Sequence, residues 1–385
     1  VYTMPITGGA PTRIAEGLAW EVQPRFSPDG QRIAFTSDRG GGDNIWIMNA
    51  DGSDKRQLTK EDFRLLNQAS WSPDGNYIVA KKHFTTQRSL GTGEIWLYHV
   101  SGGGGVKLVA RASDTLQKEL GEPVYSPDGG AVYYSRNVTS GPIFEYAQDS
   151  TQGTFAIERY DLATGEVTTA VSGFGGAVRP QPSPDGKSLA FIRRDKDQTE
   201  LWIKDLASGE QRMIYGDLDM DMQETWAVHG FYPLIDWTPE GNALVLWAGG
   251  KLRLVAADGS GDSVIPFSVN DTRGVADAPH PVIPVAPDSF TAKIPRFASV
   301  SPDGRTVVFE SLGKLYAKPV AGGTARRLTS ASDAALELWP SGSRDGRRIT
   351  YIRWTDDGLG QVMIANANGS GARAGTVSLR PISLC

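Results

Sequence analysis

Pro24-Arg25-Phe26-Ser27-Pro28-Asp29-Gly30, followed by Ile33-Ala34-Phe35-Thr36-Ser37, decides the architecture of this 385-residue chain. Pro presets φ at the second position of a tight turn, Asp suits the third, and Gly accepts the positive φ that follows. The tetrapeptide returns as Ser72-Pro73-Asp74-Gly75, Ser126-Pro127-Asp128-Gly129, Ser183-Pro184-Asp185-Gly186 and Ser301-Pro302-Asp303-Gly304. Thr238-Pro239-Glu240-Gly241 and Ser343-Arg344-Asp345-Gly346 are diverged copies. Each turn leads into a short apolar run, such as Tyr77-Ile78-Val79 or Leu189-Ala190-Phe191, that reads as a strand buried on both faces. A second run follows at a regular distance, as in Ile45-Trp46-Ile47-Met48, Ile95-Trp96-Leu97-Tyr98 and Leu201-Trp202-Ile203, and a Gly turn then opens a short outer strand.

Each repeat is thus four antiparallel strands that cannot bury both faces alone. Radial stacking of such units solves that problem, so the expected fold is all-β, a β-propeller of four-stranded antiparallel blades. The expected division is one domain over 1–385, with a half-blade at 1–18 and seven blades at about 19–60, 61–112, 113–172, 173–216, 217–268, 269–330 and 331–378. Trp46, Trp96 and Trp202 recur at one position of the repeat and are expected to be packing residues of the third strand.

Gly 45 and Pro 23 with 39% hydrophobic residues describe a turn-rich chain with enough apolar side chains for a core. The net charge of -5, without a Lys/Arg cluster, argues against a nucleic-acid partner. Cys385 is the single cysteine, so no intramolecular disulfide or Cys-based metal site is expected. No apolar run has the length of a membrane span. The opening Val1-Tyr2-Thr3-Met4 enters a strand pattern at once, which raises the expectation of a fragment or processed product.

The residues quoted above, with Asp51-Gly52 closing the hairpin, resemble the TolB-type (WD-like) propeller repeat. Gly41-Gly42-Asp43-Asn44-Ile45-Trp46, Lys82-His83-Phe84 and Asp221-Met222-Gln223-Glu224-Thr225-Trp226-Ala227-Val228-His229-Gly230 look like the N-terminal propeller half of bacterial proteins that join such a propeller to a metal-dependent amidohydrolase. The resemblance implies a periplasmic or secreted location. It also implies a hydrolase half with a His-x-His metal motif, which this sequence lacks: His83, His99, His229 and His280 are isolated from one another.

Three stretches break the repeat while keeping polar and aromatic residues. They supply the candidate binding residues Lys82, His83 and Arg88, then Glu145 and Tyr146 beside Phe144, then Glu224, Trp226 and His229. Tyr and Trp beside charges provide large contact area with few rotors; filling gaps between blades is the alternative reading of the same aromatics. His83, next to Lys81 and Lys82, is a candidate receiver of a carboxylate. The alternating carboxylates Asp217, Asp219 and Asp221 are weak candidates for calcium or another divalent cation, and they lack the Gly and terminal Glu of a calcium loop. No catalytic residue is assigned, because no Gly-x-Ser-x-Gly elbow occurs.

The resulting expectation is a non-catalytic recognition or scaffold propeller, part of a larger amidohydrolase, that needs no cofactor. Its partner would be a peptide-like or small-molecule ligand, or a protein domain. Two other readings stay open: a lactonase- or esterase-like propeller hydrolase with a channel metal, and a TolB-like periplasmic adaptor that binds proteins.

Overall fold

The structure, a computed structural model, describes the chain except for residues 86–90, 114–117, 142–152, 223–227, 273, 275–284, 333 and 379–385. The described residues form an all-β propeller fold with seven four-stranded antiparallel sheets and one two-stranded piece, Tyr2–Thr3 with Thr12–Arg13. They divide into two compact units, Val1–Arg273 and Gly274–Cys385.

The first unit holds the two-stranded piece and five of the sheets. In chain order these are Glu21–Phe26, Arg32–Ser37, Asn44–Asn49 and Arg56–Gln57; Leu65–Trp71, Tyr77–Thr85, Gly91–His99 and Val106–Val109; Leu120–Tyr125, Ala131–Asn137, Phe155–Asp161 and Val167–Val171; Val178–Pro182, Ser188–Asp195, Gln198–Asp205 and Gln211–Tyr215; and Asp236–Trp237, Ala243–Ala248, Lys251–Ala256 and Asp262–Ile265. The second unit holds the sixth sheet (Arg296–Val300, Thr306–Ser311, Lys314–Pro319, Arg326–Arg327) and the seventh (Leu336–Gly342, Arg348–Thr355, Leu359–Asn366, Arg373–Ser378).

The turn tetrapeptide works through more than φ preferences. In the first sheet Gly30 N donates to Ser27 O at 2.8 Å, and Gly30 adopts φ +68°. Ser27 Oγ donates to Asp29 Oδ1 and accepts from Arg32 N at 2.9 Å, so the hydroxyl locks both ends of the hairpin. The same hydroxyl–carboxylate pair recurs at Ser72, Ser126, Ser183, Ser301 and Ser343. In the Thr238 copy, where Glu240 replaces Asp, the hydroxyl turns to Asn242 Oδ1 instead.

Alternation along the second strands builds the core, because successive side chains of a strand point to opposite faces. Ile33 and Phe35 pack on Val1 and Ile14 of the two-stranded piece, whereas Ala34 faces the second sheet. Ile78 and Ala80 return that contact, and Val79 faces Val132 and Tyr134 of the third sheet. Tyr133 then meets Leu189 and Phe191 of the fourth sheet, whose Ala190 and Ile192 pack against Leu244 and Leu246 of the fifth. Each fully buried Ile or Phe contributes roughly 1.5–3 kcal/mol.

Within this unit the two-stranded piece also reaches the fifth sheet. Gly9 bridges Phe267 just beyond that sheet's last strand, and Arg13 pairs with Asp271 at 3.1 Å. Thus the piece touches both the first and the fifth sheets. In the second unit, Val308, Leu315 and Leu328 of the sixth sheet pack on Ile349, Tyr351 and Met363 of the seventh.

The recurring tryptophans pack as expected, half-buried, and each lies under a cation: Arg39 over Trp46, Lys82 over Trp96 and Arg193 over Trp202. Trp96 and Trp202 each donate Nε1 at 2.9 Å to the glutamate two residues earlier, Glu94 and Glu200. Trp46 has Asn44 at that position and its Nε1 finds no partner.

Candidate functional site

A bulge interrupts the first strand in each of the first four sheets, between Val22 and Arg25, Asn67 and Ser70, Gly121 and Val124, and Val178 and Gln181. One residue of each bulge sits in the left-handed region: Gln23 (φ 56°), Gln68 (58°), Glu122 (57°) and Arg179 (55°). Non-glycine residues visit this region rarely, and a bulge uses it to redirect a side chain. Each of the four lies four residues ahead of the serine of its turn, and Pro24, Pro123 and Pro180 follow three of them. A residue that cannot donate to a ladder is tolerated at a bulge.

The four redirected side chains form a relay from sheet to sheet. Gln23 Oε1 accepts the backbone N–H of Gln68 at 2.8 Å. Gln68 Oε1 accepts the N–H of Glu122, and Glu122 Oε2 accepts the N–H of Arg179 at 2.7 Å. The relay ends there because the next element presents a carbonyl, Tyr232 O, to which the Arg179 guanidinium donates. Three acceptors followed by one donor is the residue order this geometry demands. Arg179 also pairs with Glu122 at 3.1 Å, with both side chains almost fully buried. Burial holds the Arg179 guanidinium below its ordinary pKa, and the Glu122 charge opposes that shift.

A strap of backbone, 228–235, crosses the relay in place of a long first strand for the fifth sheet. Val228 O accepts from Asn67 Nδ2 at 3.1 Å and Lys81 Nζ at 3.0 Å. Gln23 Nε2 donates to His229 O at 2.5 Å, and Phe231 N donates to Glu122 Oε1 at 2.7 Å. Gly230 is obligatory here: its φ is +103°, and a Cβ would lie 2.0 Å from Arg179 Nη2. Arg25 anchors the end of the strap through Ile235 O at 3.2 Å and Asp236 at 2.9 Å.

The sequence-derived candidates divide in three ways. His83 feels the charges of Lys81 and His229, which the strap brings to the same region. His83 is 3% exposed, and burial together with the charges of Lys81, His229 and Arg64 lowers its pKa to about 3. His229 engages Asp43 at 3.1 Å and lies edge-on to Trp20, with ring centroids 4.8 Å apart. Lys82 pairs with Glu61 and covers Trp96, which makes it part of the packing. Arg88, Glu145, Tyr146, Glu224 and Trp226, with Phe144, lie outside the described residues.

The acidic stretch is split between partners. Asp219 Oδ2 accepts from Gly249 N at 2.6 Å, and Asp221 binds Arg194 at 2.7 and 3.1 Å. Among the described residues no group of three or more His, Cys, Asp or Glu is arranged to hold a metal ion.

In the second unit the bulge positions are aromatic. Phe297 (φ 53°) and Trp339 (φ 50°) occupy the places of the relay residues, and their rings meet at 5.3 Å. A relay cannot run through side chains without an acceptor. The sequence reading missed the relay as a whole, although the residue four positions before each turn serine marks it.

Comparison with known proteins finds likeness to TolB-type propellers. The TolB beta propeller domain matches residues 1–152. An uncharacterised protein of Agrobacterium fabrum is 28% identical over 198 residues, covering 50% of this chain and 61% of its own. The Tol-Pal system protein TolB of Francisella tularensis subsp. mediasiatica is 32% identical over 194 residues, covering 50% of this chain and 40% of its own. The crystal structure of TolB from Acinetobacter baumannii superposes with a TM-score of 0.51 at 19% identity, over 66% of this chain and 55% of that one. The chain therefore spans less than two thirds of the length of each of these proteins.

Proposed function

We propose that this TolB-like β-propeller is a recognition or scaffold domain that performs no chemistry of its own and serves a larger amidohydrolase-type protein. The relay carries the reading. Gln23, Gln68, Glu122 and Arg179 each bind the next sheet or the strap through at least one hydrogen bond, which ties four sheets into a rigid frame. A catalytic group needs a proton or lone pair directed at a substrate, whereas the bonds these side chains make run to backbone and to one another. Rigid frames suit binding surfaces, because little ordering entropy remains to be lost on association.

The partner in this reading is a protein domain or a peptide-like or small-molecule ligand, and no cofactor is required. The similarity to a Tol-Pal system protein favours a protein of the cell envelope as partner and the periplasm as compartment.

The test has two arms. Purified chain is assayed against a panel of lactones, esters and peptides with and without added calcium, and cross-linking mass spectrometry in cells identifies what the propeller touches. The expected result is no turnover and reproducible cross-links from the exposed Lys107 or Lys187 to one envelope protein or hydrolase domain. Turnover that is lost on adding a chelator, or in His229→Ala, would establish a propeller hydrolase instead.

A further inference from the structure

Beyond the relay, a cavity of about 270 Å³ opens between the second and third sheets. It lies at the strand ends away from the serine turns, where Leu120 pairs with Arg136 and Asn137 closes the second strand of its sheet. Three cations line it, Arg111, Lys118 and Arg136, against two carboxylates, Glu119 and Glu158.

Both carboxylates are already engaged within the sheets. Glu119 is paired with the fully buried Lys81 and accepts from Leu120 N at 3.2 Å. Glu158 is 8% exposed and takes the Thr169 hydroxyl at 3.3 Å. The cations are placed by rigid supports. Lys118, itself 6% exposed, donates to Thr139 Oγ1 at 2.6 Å, and that hydroxyl donates onward to Asn137 Oδ1 at 2.7 Å. Arg111 lies over the Phe84 ring, its Cζ 3.9 Å from the centroid, and its Nε stands 3.9 Å from Glu94 Oε1, so ring and carboxylate together hold the guanidinium at the cavity wall. Arg136 is exposed and lines the mouth of the cavity.

Two planar guanidinium groups and one held ammonium around a small cavity are the arrangement that recognises a carboxylate, whose two oxygens match an arginine fork. We propose that this cavity between the second and third sheets binds a carboxylate group, carried either by a small polycarboxylic acid or by the C-terminal end of a peptide. The volume admits a few residues of peptide or a compact acid and excludes a folded domain. The site does not depend on the proposed role of the propeller: it would hold in an adaptor, a scaffold or an enzyme alike.

The test uses the full chain in isothermal titration calorimetry at about 150 mM salt, where screening of exposed charges is strong. The probes are citrate, triglycine with a free C-terminus, triglycine amide and inorganic phosphate. Binding of citrate or of triglycine acid tighter than ~1 mM, weakened about tenfold or more in Arg136→Gln and unchanged in Arg212→Gln, supports the site. Which of the two probes binds identifies the source of the carboxylate, with triglycine amide expected to be silent. Arg136 is exposed, so its variant keeps the fold, and matching far-ultraviolet spectra verify this. No binding by any probe overturns the proposal, and so does equal binding of phosphate and citrate, or indifference to Arg136→Gln.

Discussion

Replacing Glu122 by Gln tests the relay at its most loaded point. The Glu122 carboxylate accepts from Arg179 N at 2.7 Å, Ser135 Oγ at 2.6 Å and Phe231 N at 2.7 Å, and it faces the Arg179 guanidinium at 3.1 Å. All of these neighbours donate to the carboxylate, and apart from the Ser135 hydroxyl, which itself accepts from Arg179 N at 3.0 Å, none can accept. An amide keeps the shape but turns one acceptor into a donor, so at least one buried N–H or O–H must face an NH2 group. It also strands the Arg179 charge in an interior position. Breaking a buried pair from one side costs about 3–5 kcal/mol, and an unsatisfied buried donor adds about 1–3 kcal/mol. These effects overlap, so the expected loss is about 4 kcal/mol. At roughly 2–4 °C per kcal/mol that is a fall in Tm of about 10 °C. Urea unfolding followed by tryptophan fluorescence measures it, with the m-value checked for constancy. The double variant Glu122→Gln, Arg179→Met removes the stranded charge and is expected to recover at least half of the loss. A single variant within about 1 kcal/mol of the parent, or a double variant no better than the single, would refute the relay as a stabilising device.

Three further outcomes follow from the same geometry. Trp202→Ala removes a half-buried ring, its cover Arg193 and the partner of Glu200, and is expected to cost roughly 2–3 kcal/mol in urea unfolding without changing ligand affinity; lost binding at unchanged stability would contradict the packing role. Acid acts in two windows. His83 has a folded pKa lowered to about 3 from an ordinary 6.5, so below pH 6.5 the unfolded state takes up the proton first and stability falls as pH drops; His83→Gln is expected to flatten the urea midpoint between pH 6.5 and about 4. The turn aspartates Asp29, Asp74, Asp185, Asp303 and Asp345 have folded pKa values held below the ordinary 3.8, first by the serine hydroxyl, so their contribution is present above that value and is lost only as pH falls beneath it. A slope that persists in His83→Gln above pH 4 would reassign the first window. Finally, a chain ending at residue 272 keeps the first unit with its two-stranded piece on both the first and the fifth sheets, and is expected to unfold cooperatively with strand-type circular dichroism; a molten product would show that the first unit needs the rest of the chain.

How legible the protein was differs by level. The turns and strands were readable because their causes are local: a Pro-Asp-Gly run dictates a hairpin wherever it stands, and the alternation of Ile33, Ala34 and Phe35 shows two buried faces. The packing of Trp46, Trp96 and Trp202 was readable for the same reason, as a repeat position. The site was less legible. Lys82 and His83 are neighbours in sequence, yet one covers Trp96 and the other is buried beside Lys81, because adjacent residues of a strand leave on opposite faces. Gln23, Gln68, Glu122 and Arg179 looked like ordinary polar strand residues. Only the left-handed bulge reveals that the first three reach the backbone of the next sheet and Arg179 that of the strap.

The sequence by itself determined the repeat, the hairpins, the all-β propeller class and the faces that had to be buried, since these follow from φ preferences and side-chain period. Tertiary structure decided which polar groups meet. Gln23 and His229 are 206 positions apart, and Glu122 and Phe231 are 109 apart. No local rule specifies such pairs, because hydrogen bonds have a reach of about 3 Å and are settled only when separate sheets are brought side by side.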